Sequence, residues 1–317
     1  MSRALALHDG RAGNARQALA LADALAPGAV DERRLQPGPL ARLLAPRAWP
    51  RADGAFGQDF RDDCERPPAL VVGCGRQAAL ATRLLRRRGS RAVQVLDPRL
   101  DPRHWDVVVV PAHDALRGDN VVTLQGSLHP VDDLWLARAR AAAPALAALP
   151  GPRTLLLAGG PTRHAALDDA GFDALLRQLA AHARAEGGSL CAVASRRTPA
   201  RWREALAAVD AGLPGLRWRD GRDGPNPYAG LLAHADRIVC TPDSVNMLSE
   251  AAATLAPVFA WAPARLHGRP ARFLEALLAG GRVRALDDAL AAYPVEPLRE
   301  TARVAAEVRR RLGSVAA

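Results

Sequence analysis

Short apolar runs alternate along this chain with longer Ala/Leu stretches, and Gly, Asp or Pro marks nearly every changeover. The runs at residues 4–8, 69–73, 92–96, 107–110 and 121–124 are apolar almost without a break. Continuous apolarity belongs to strands buried on both faces, whereas a half-solvated strand alternates. A strand covered on both faces needs a helical layer on each, and the intervening Ala/Leu stretches supply them. The pattern predicts an α/β fold with parallel sheets.

The rhythm breaks at residues 143–153, where the text turns Ala/Pro-rich, and then restarts. Strands are expected at 154–158, 189–194, 237–240 and 257–261, with helices over 172–185, 246–255 and 297–312. Two rounds of βα units in 317 residues match two domains of about 150 residues each. The expected division is 1–145 and 152–296, two Rossmann-like domains facing a cleft, with 297–317 as a closing helix.

Composition narrows the functions available. Aromatic residues are only 4% of the chain, so Ala, Leu and Val must build the cores. The net charge of +10 invites a nucleic-acid reading, but all 43 basic residues are Arg and none is Lys, beside abundant Ala and Pro. That is a bias of the whole text rather than a binding face, and the Arg residues are scattered without interleaved aromatics. No nucleic-acid partner is expected. The densest run, residues 83–91, reads as a solvated helix end, with attraction to anionic lipid head groups as its functional alternative. Cys64, Cys74, Cys191 and Cys240 form no CxxC pair, so neither a zinc site nor a disulfide framework is indicated. The opening apolar run is too short for a signal peptide, and no stretch approaches the roughly 18 apolar residues of a membrane span. The expected location is cytoplasmic, with peripheral contact at the inner face of the membrane through Arg-rich helices.

In a parallel sheet, ligands gather at the carboxyl ends of strands, where helix N-termini offer N–H groups and partial positive charge. Four polar turns fall there. Asp243, Ser244, Val245 and Asn246 follow the strand ending at 240 and open a helix bearing Glu250. Their N–H groups suit a diphosphate and Glu250 suits ribose hydroxyls; the plain alternative is N-capping by Asp243 or Ser244. Gly159 and Gly160 would let a phosphate approach the backbone, with Arg163 beside it, or form a simple tight turn. Ser195, Arg196 and Arg197 form an anion clamp or a solvated loop. Asp9, with Gly10, Arg11, Asn14 and Gln17, ends the first strand, where a carboxylate can take a proton from an acceptor hydroxyl or merely cap the next helix. His113 and Asp114 are a second candidate pair.

Gly75 and Arg76 lie in Gly73-Cys74-Gly75-Arg76-Gln77-Ala78, which matches GxGxxA, and Asp97 follows about 20 residues on. This is the case for an NAD(P)-dependent oxidoreductase. Against it, another βα unit precedes the motif, and Asp97 opens the turn Asp97-Pro98. No HExxH, P-loop, GxSxG or usable DxD occurs, so no metal ligand set is visible.

The segments LHDGRAGNARQALALADAL, VVGCGRQAA, VVVVPAHDALRGDNVVTLQGSLH and ASRRTP resemble the mitochondrial-fission family named for elongated mitochondria, and the likeness spans nearly the whole chain. More widely, ADRIVCTPDSVNMLSEAAATLAPVF is similar to the nucleotide-binding stretch of GT-B glycosyltransferases. That resemblance implies that residues 244–247 face a donor diphosphate, Glu250 the ribose, and Gly159, Gly160 and Arg196 the other donor loops. It also implies that the closing helix crosses back to the first domain. The function expected is a metal-independent transferase without a cofactor, taking a nucleotide-sugar donor and a glycan or lipid acceptor, with Asp9 as base. The alternative is a non-catalytic GT-B-like scaffold that recruits a protein partner.

Overall fold

The computed structural model describes residues 3–209 and 212–313, and the chain divides into two compact units. One runs to Pro130 and resumes at Arg299; the other is Val131–Leu298.

The first unit contains β1 (Ala4–His8), α1 (Ala12–Leu25), β2 (Val30–Arg34), α2 (Pro39–Leu44), α3 (Gln58–Glu65), β3 (Leu70–Cys74), α4 (Arg76–Arg87), β4 (Arg91–Val95), β5 (Val107–Pro111) and β6 (Val121–Leu124). Its six strands are parallel in the order β2-β1-β3-β4-β5-β6. Successive side chains point to opposite faces, and both faces are covered. Leu5, Leu7, Val71 and Val108 pack with Leu80 and Leu84 of α4 and Phe60 of α3. Ala4, Ala6, Val72 and Val109 pack with Ala18 and Leu21 of α1. Helix α4 lies close because Gly73 has no side chain: a Cβ there would stand 2.6 Å from Thr82 Cγ2 and 3.1 Å from Ala78 Cβ.

The second unit contains α5 (Asp133–Ala142), β7 (Arg153–Ala158), α6 (Asp169–Ala185), β8 (Ser189–Ala194), α7 (Ala200–Ala208), β9 (Arg217–Trp218), α8 (Tyr228–His234), β10 (Arg237–Cys240), α9 (Val245–Ala252), β11 (Val258–Ala260), α10 (Arg269–Ala279) and β12 (Arg284–Ala285). Helix α5 precedes the Ala/Pro-rich stretch yet belongs here, where Arg140 Nη2 donates to the Ala233 carbonyl of α8 at 2.5 Å. The sheet order is β12-β11-β10-β7-β8-β9, again parallel. An aromatic cluster anchors α6 and α7: Phe172 stacks on Trp202 with centroids 4.0 Å apart, and Trp261 meets both edge-on. Arg282 is 8% exposed and donates to the carbonyls of Ala252 at 2.7 Å and Thr254 at 2.9 Å. It thereby closes the carbonyl end of α9, where cations are favoured.

The last helix, α11 (Glu300–Leu312), belongs to the first unit. It begins three residues later than the sequence pattern places it. Its apolar stripe of Val304, Ala305, Val308 and Leu312 is buried in the layer that also holds Leu21. The Glu300 carboxylate accepts the Gln125 N–H at 2.9 Å, and Thr301 Oγ1 donates to the His129 carbonyl at 2.7 Å. Among the described residues, no helix is long and apolar enough to cross a membrane.

His129 is 3% exposed, and burial, then Arg16 and Arg299, pull its pKa from 6.5 down to about 4. The unfolded chain therefore protonates this ring near pH 6.5, while the folded chain resists until about pH 4. Stability present above pH 6.5 is lost as pH falls through that window, by about 3 kcal/mol at its acid end. Urea unfolding across this range should show a steeper acid loss for the wild type than for His129→Gln; equal slopes would refute the assignment.

Candidate functional site

A Rossmann sheet binds its ligand where strand order reverses, outside the carboxyl ends of the two strands that part there. In the second unit that point lies between β7 and β10, with β8 on the far side of β7. The turns after these three strands therefore lie side by side. They are Gly159-Gly160, Ser195-Arg196-Arg197 and Thr241-Pro242-Asp243-Ser244.

Hydrogen bonds lock the three turns together. The Gly159 N–H donates to Thr241 Oγ1 at 2.7 Å, and that hydroxyl donates to Asp243 Oδ1 at 2.7 Å. Arg197 Nη2 donates to Asp243 Oδ2 at 2.6 Å. Ser195 N–H reaches Ala158 O and Thr198 Oγ1, each at 2.8 Å, and the Thr198 hydroxyl donates to Ala158 O at 2.7 Å. A Cβ on Gly159 would fall 2.0 Å from Asp243 Oδ1, and one on Gly160 would fall 2.5 Å from the Arg197 carbonyl. Both glycines are thus required by close approach rather than by a tight turn.

The Asp243 side chain is fully buried although the residue is half-exposed, so the solvent-facing part is its backbone. Asp243 turns inward and leaves the capping of α9 to Ser244, whose hydroxyl accepts the Met247 N–H at 3.4 Å. Residues 244–246 are half-exposed at the start of α9, where the first N–H groups of a helix lack intrahelical acceptors. Arg196 and Arg197 are exposed beside them. This is a surface of N–H groups and guanidiniums suited to an anion.

Glu250, in the last turn of α9, is 1% exposed and accepts the Tyr228 hydroxyl at 2.5 Å. A ribose can reach this carboxylate only if the tyrosine moves aside. Arg163 makes contacts of its own outside the three turns. Its Nε contacts His164 Nε2 at 2.9 Å, and its carbonyl is 2.7 Å from His267 Nε2, so its turn is tied to the segment before α10. Sequence reasoning placed Thr241 and Thr198 in the candidate turns without giving their hydroxyls a role, and it missed Tyr228. The hydroxyls next to Pro242 and Pro199 were the available signal.

In the first unit the order reverses between β1 and β3, and the turns after them meet. Asp9 Oδ1 accepts the Arg11 N–H at 3.1 Å and Asn14 Nδ2 at 3.0 Å. Arg11 Nε lies 3.5 Å from Oδ2. Gly75 has φ +93°, and a Cβ on it would stand 2.6 Å from Asn14 Nδ2. The space over the GxGxxA turn is thus taken by the Asn14 amide, where a pyrophosphate would have to lie. Arg76 reaches the Arg42 carbonyl, and Asp97 accepts the Arg99 N–H at 2.7 Å.

His8, which sequence reasoning passed over, accepts the Gly10 N–H at Nδ1 (3.0 Å), leaving Nε2–H to donate to Glu32 at 2.8 Å. Gly10, at φ +81°, packs under Arg34: a Cβ would come within 2.5 Å of Arg34 Nε. Gln17 is buried, and its Oε1 has no partner among the described residues. His113 and Asp114 follow β5, three strand positions from β1, or about 14 Å at normal strand spacing. Asp114 is 6% exposed, so the pair does not join the Asp9 turn. Among the described residues, no three His, Cys, Asp or Glu side chains gather to hold a metal ion.

Two parallel six-stranded Rossmann-like sheets, each with its own switch point, define a GT-B-type fold. UDP-GlcNAc 2-epimerase from Methanocaldococcus jannaschii is similar to this chain with a TM-score of 0.54 at 13% identity, over 97% of this chain and 92% of that one. The Neisseria meningitidis 2-epimerase bound to UDP-GlcNAc gives 0.52 at 11% identity, over 98% and 100%. The chain belongs to the family described as Mitochondrial fission ELM1, which matches residues 12–312. It is 30% identical to "Mitochondrial fission protein ELM1" of Arabidopsis thaliana over 281 residues, 78% of this chain, and spans only 64% of that relative's length.

Gly159→Ala is expected to destabilise the second unit by about 2 kcal/mol through overpacking. Asp243→Ala should relieve part of that loss, giving a coupling energy of about 1 kcal/mol or more in a double-mutant cycle of urea unfolding. Additive losses would mean that the carboxylate does not occupy the Gly159 pocket.

Proposed function

We propose that this chain transfers a sugar from a nucleotide donor to a glycan or lipid acceptor. The observation that carries the reading is the switch point of the second unit, where Asp243 turns its carboxylate inward and presents backbone at the start of α9. Diphosphate binding would use the N–H groups of residues 244–246 with Arg196 and Arg197. These groups would stabilise negative charge as the bond from the sugar C1 to the phosphate oxygen breaks. The nucleoside diphosphate leaves while the acceptor oxygen bonds to C1 and yields its proton to a general base, for which Asp9 is the candidate. The turn of Arg11, Asn14 and Gly75 holds that carboxylate in place. The step requires neither a cofactor nor a metal ligand set. A UDP-sugar is the favoured donor, in keeping with the nucleotide sugar bound by the Neisseria neighbour. Such a protein would work in the cytoplasm, with a lipid acceptor drawing it to a membrane surface.

One observation favours the second reading, a non-catalytic scaffold that recruits a protein partner. Tyr228 occupies Glu250, the carboxylate that a nucleoside would need.

A thermal-shift panel of UDP, GDP, CDP, CMP, ADP and NAD on wild type, Tyr228→Phe and Glu250→Gln separates the two. A ligand at about 100 times its Kd adds roughly 2.7 kcal/mol of stability. The transferase predicts a shift with one nucleotide, larger in Tyr228→Phe and lost in Glu250→Gln. No shift with any of the six in any variant would overturn it in favour of the scaffold, and a shift with NAD alone would point to the GxGxxA turn.

A further inference from the structure

At the opposite end of the first unit's sheet from Asp9, between the end of α4 and the starts of β4 and β5, lies a cavity of about 410 Å³. That is within the usual range for small-ligand sites. Its walls carry Arg83, Arg86, Arg87, Arg91 and His104, against a single carboxylate, Asp106. Arg83, Arg86 and Arg87 share one face of α4 because they are three and four residues apart.

The arginines are only partly neutralised. Arg86 Nη2 lies 3.2 Å from Asp106 Oδ1 and Arg91 Nη1 lies 3.9 Å from it. Asp106 Oδ2 is already committed to the Ala92 N–H at 2.7 Å. Arg83, 7% exposed, donates to the Pro46 carbonyl at 2.8 Å and faces the Trp105 ring at 5.8 Å, with no carboxylate of its own. Arg87 is exposed on the same wall. Four guanidiniums therefore share one carboxylate, and the dipole at the end of α4 offsets only about half a charge.

A second observation points to a ligand. Ser90 lines the cavity, is 3% exposed, and its Oγ has no hydrogen-bond partner among the described residues. Buried hydroxyls are nearly always paired. An anion in the cavity would accept from the guanidiniums, and a small shift of the wall would let it accept from this buried hydroxyl as well. The adjoining cavity of about 640 Å³ adds Arg103, Arg117 and Arg311 together with Asp101 and Asp119, so its arginines are more nearly balanced by carboxylates than those on the Ser90 side.

We propose that this cavity binds a phosphate-bearing anion, a phosphomonoester or diphosphate held by Arg83, Arg86 and Arg87 and by the Ser90 hydroxyl. The site is independent of the donor site proposed above, being in the other unit. Its anion comes either from a soluble phosphate ester or from a phosphorylated lipid head group.

The test is calorimetric titration of the full chain with inorganic pyrophosphate at low salt, on wild type, Arg87→Glu and Ser90→Ala. Arg87 is a surface side chain and Ser90→Ala removes an orphan hydroxyl, so both variants should fold, with circular dichroism as the check. Each is expected to weaken one class of pyrophosphate site about tenfold, the loss of one charge-assisted hydrogen bond, while leaving any nucleotide-induced thermal shift unchanged. Flotation with phosphatidylcholine vesicles, with and without phosphatidylinositol phosphate, names the source. Capture only by the phosphorylated vesicles, lost in both variants, marks a head group; pyrophosphate binding without capture marks a soluble ester. Pyrophosphate binding that is absent in wild type, or identical in all three proteins, overturns the proposal whatever the nucleotide panel shows.

Discussion

The contact between the Asp243 carboxylate and the bare Cα of Gly159 organises the loops at the carboxyl end of the second unit's sheet. A charged group with no solvent exposure needs compensation, and Thr241 and Arg197 provide it. The same two partners come from the turns after β10 and β8, so neutralising one carboxylate also sets the spacing of three loops. Because the side chain is spent inward, the loop meets solvent with its backbone. A phosphate binds better to such a surface than to an outward-pointing carboxylate, which would repel it.

The apolar runs were readable because both faces of these sheets are buried, so nearly every residue of the central strands had to be apolar. Of the edge strands, β6 was readable because it is largely buried, whereas the other three were not. β2 is Val-Asp-Glu-Arg-Arg and half in solvent, while β9 and β12 are two residues each. Helix α5 could not be assigned to its unit from local text, because its partner α8 lies about ninety residues later. The site divided in a similar way. Gly, Ser, Asp and Arg at strand ends announced the loops at 159, 195 and 241. The direction in which Asp243 points was hidden, since it depends on a missing Cβ more than eighty residues earlier. The burial of Glu250 likewise depends on Tyr228, on another helix.

A chain without lysine must do all its cationic work with arginine, and much of that work is internal. Arg282 gathers the carbonyls at the end of α9, and Arg237, 6% exposed, joins Thr154 to Glu186 at the foot of β10. A planar fork of five donors can satisfy several acceptors at once, which a lysine ammonium on a flexible stem does less well. The high net charge is therefore a poor guide to surface function here. The informative arginines are those whose charge has no carboxylate to meet.

Helix α11 buries Val304, Ala305, Val308 and Leu312 in the layer that covers β1 and β3, although some 170 residues of the other unit are threaded between. During synthesis, the second unit leaves the ribosome whole while the first still lacks part of its cover. The nascent first unit must wait with the part of that face not covered by α1 open until α11 emerges. Chain order thus makes the unit that is begun first the one whose packing is completed later.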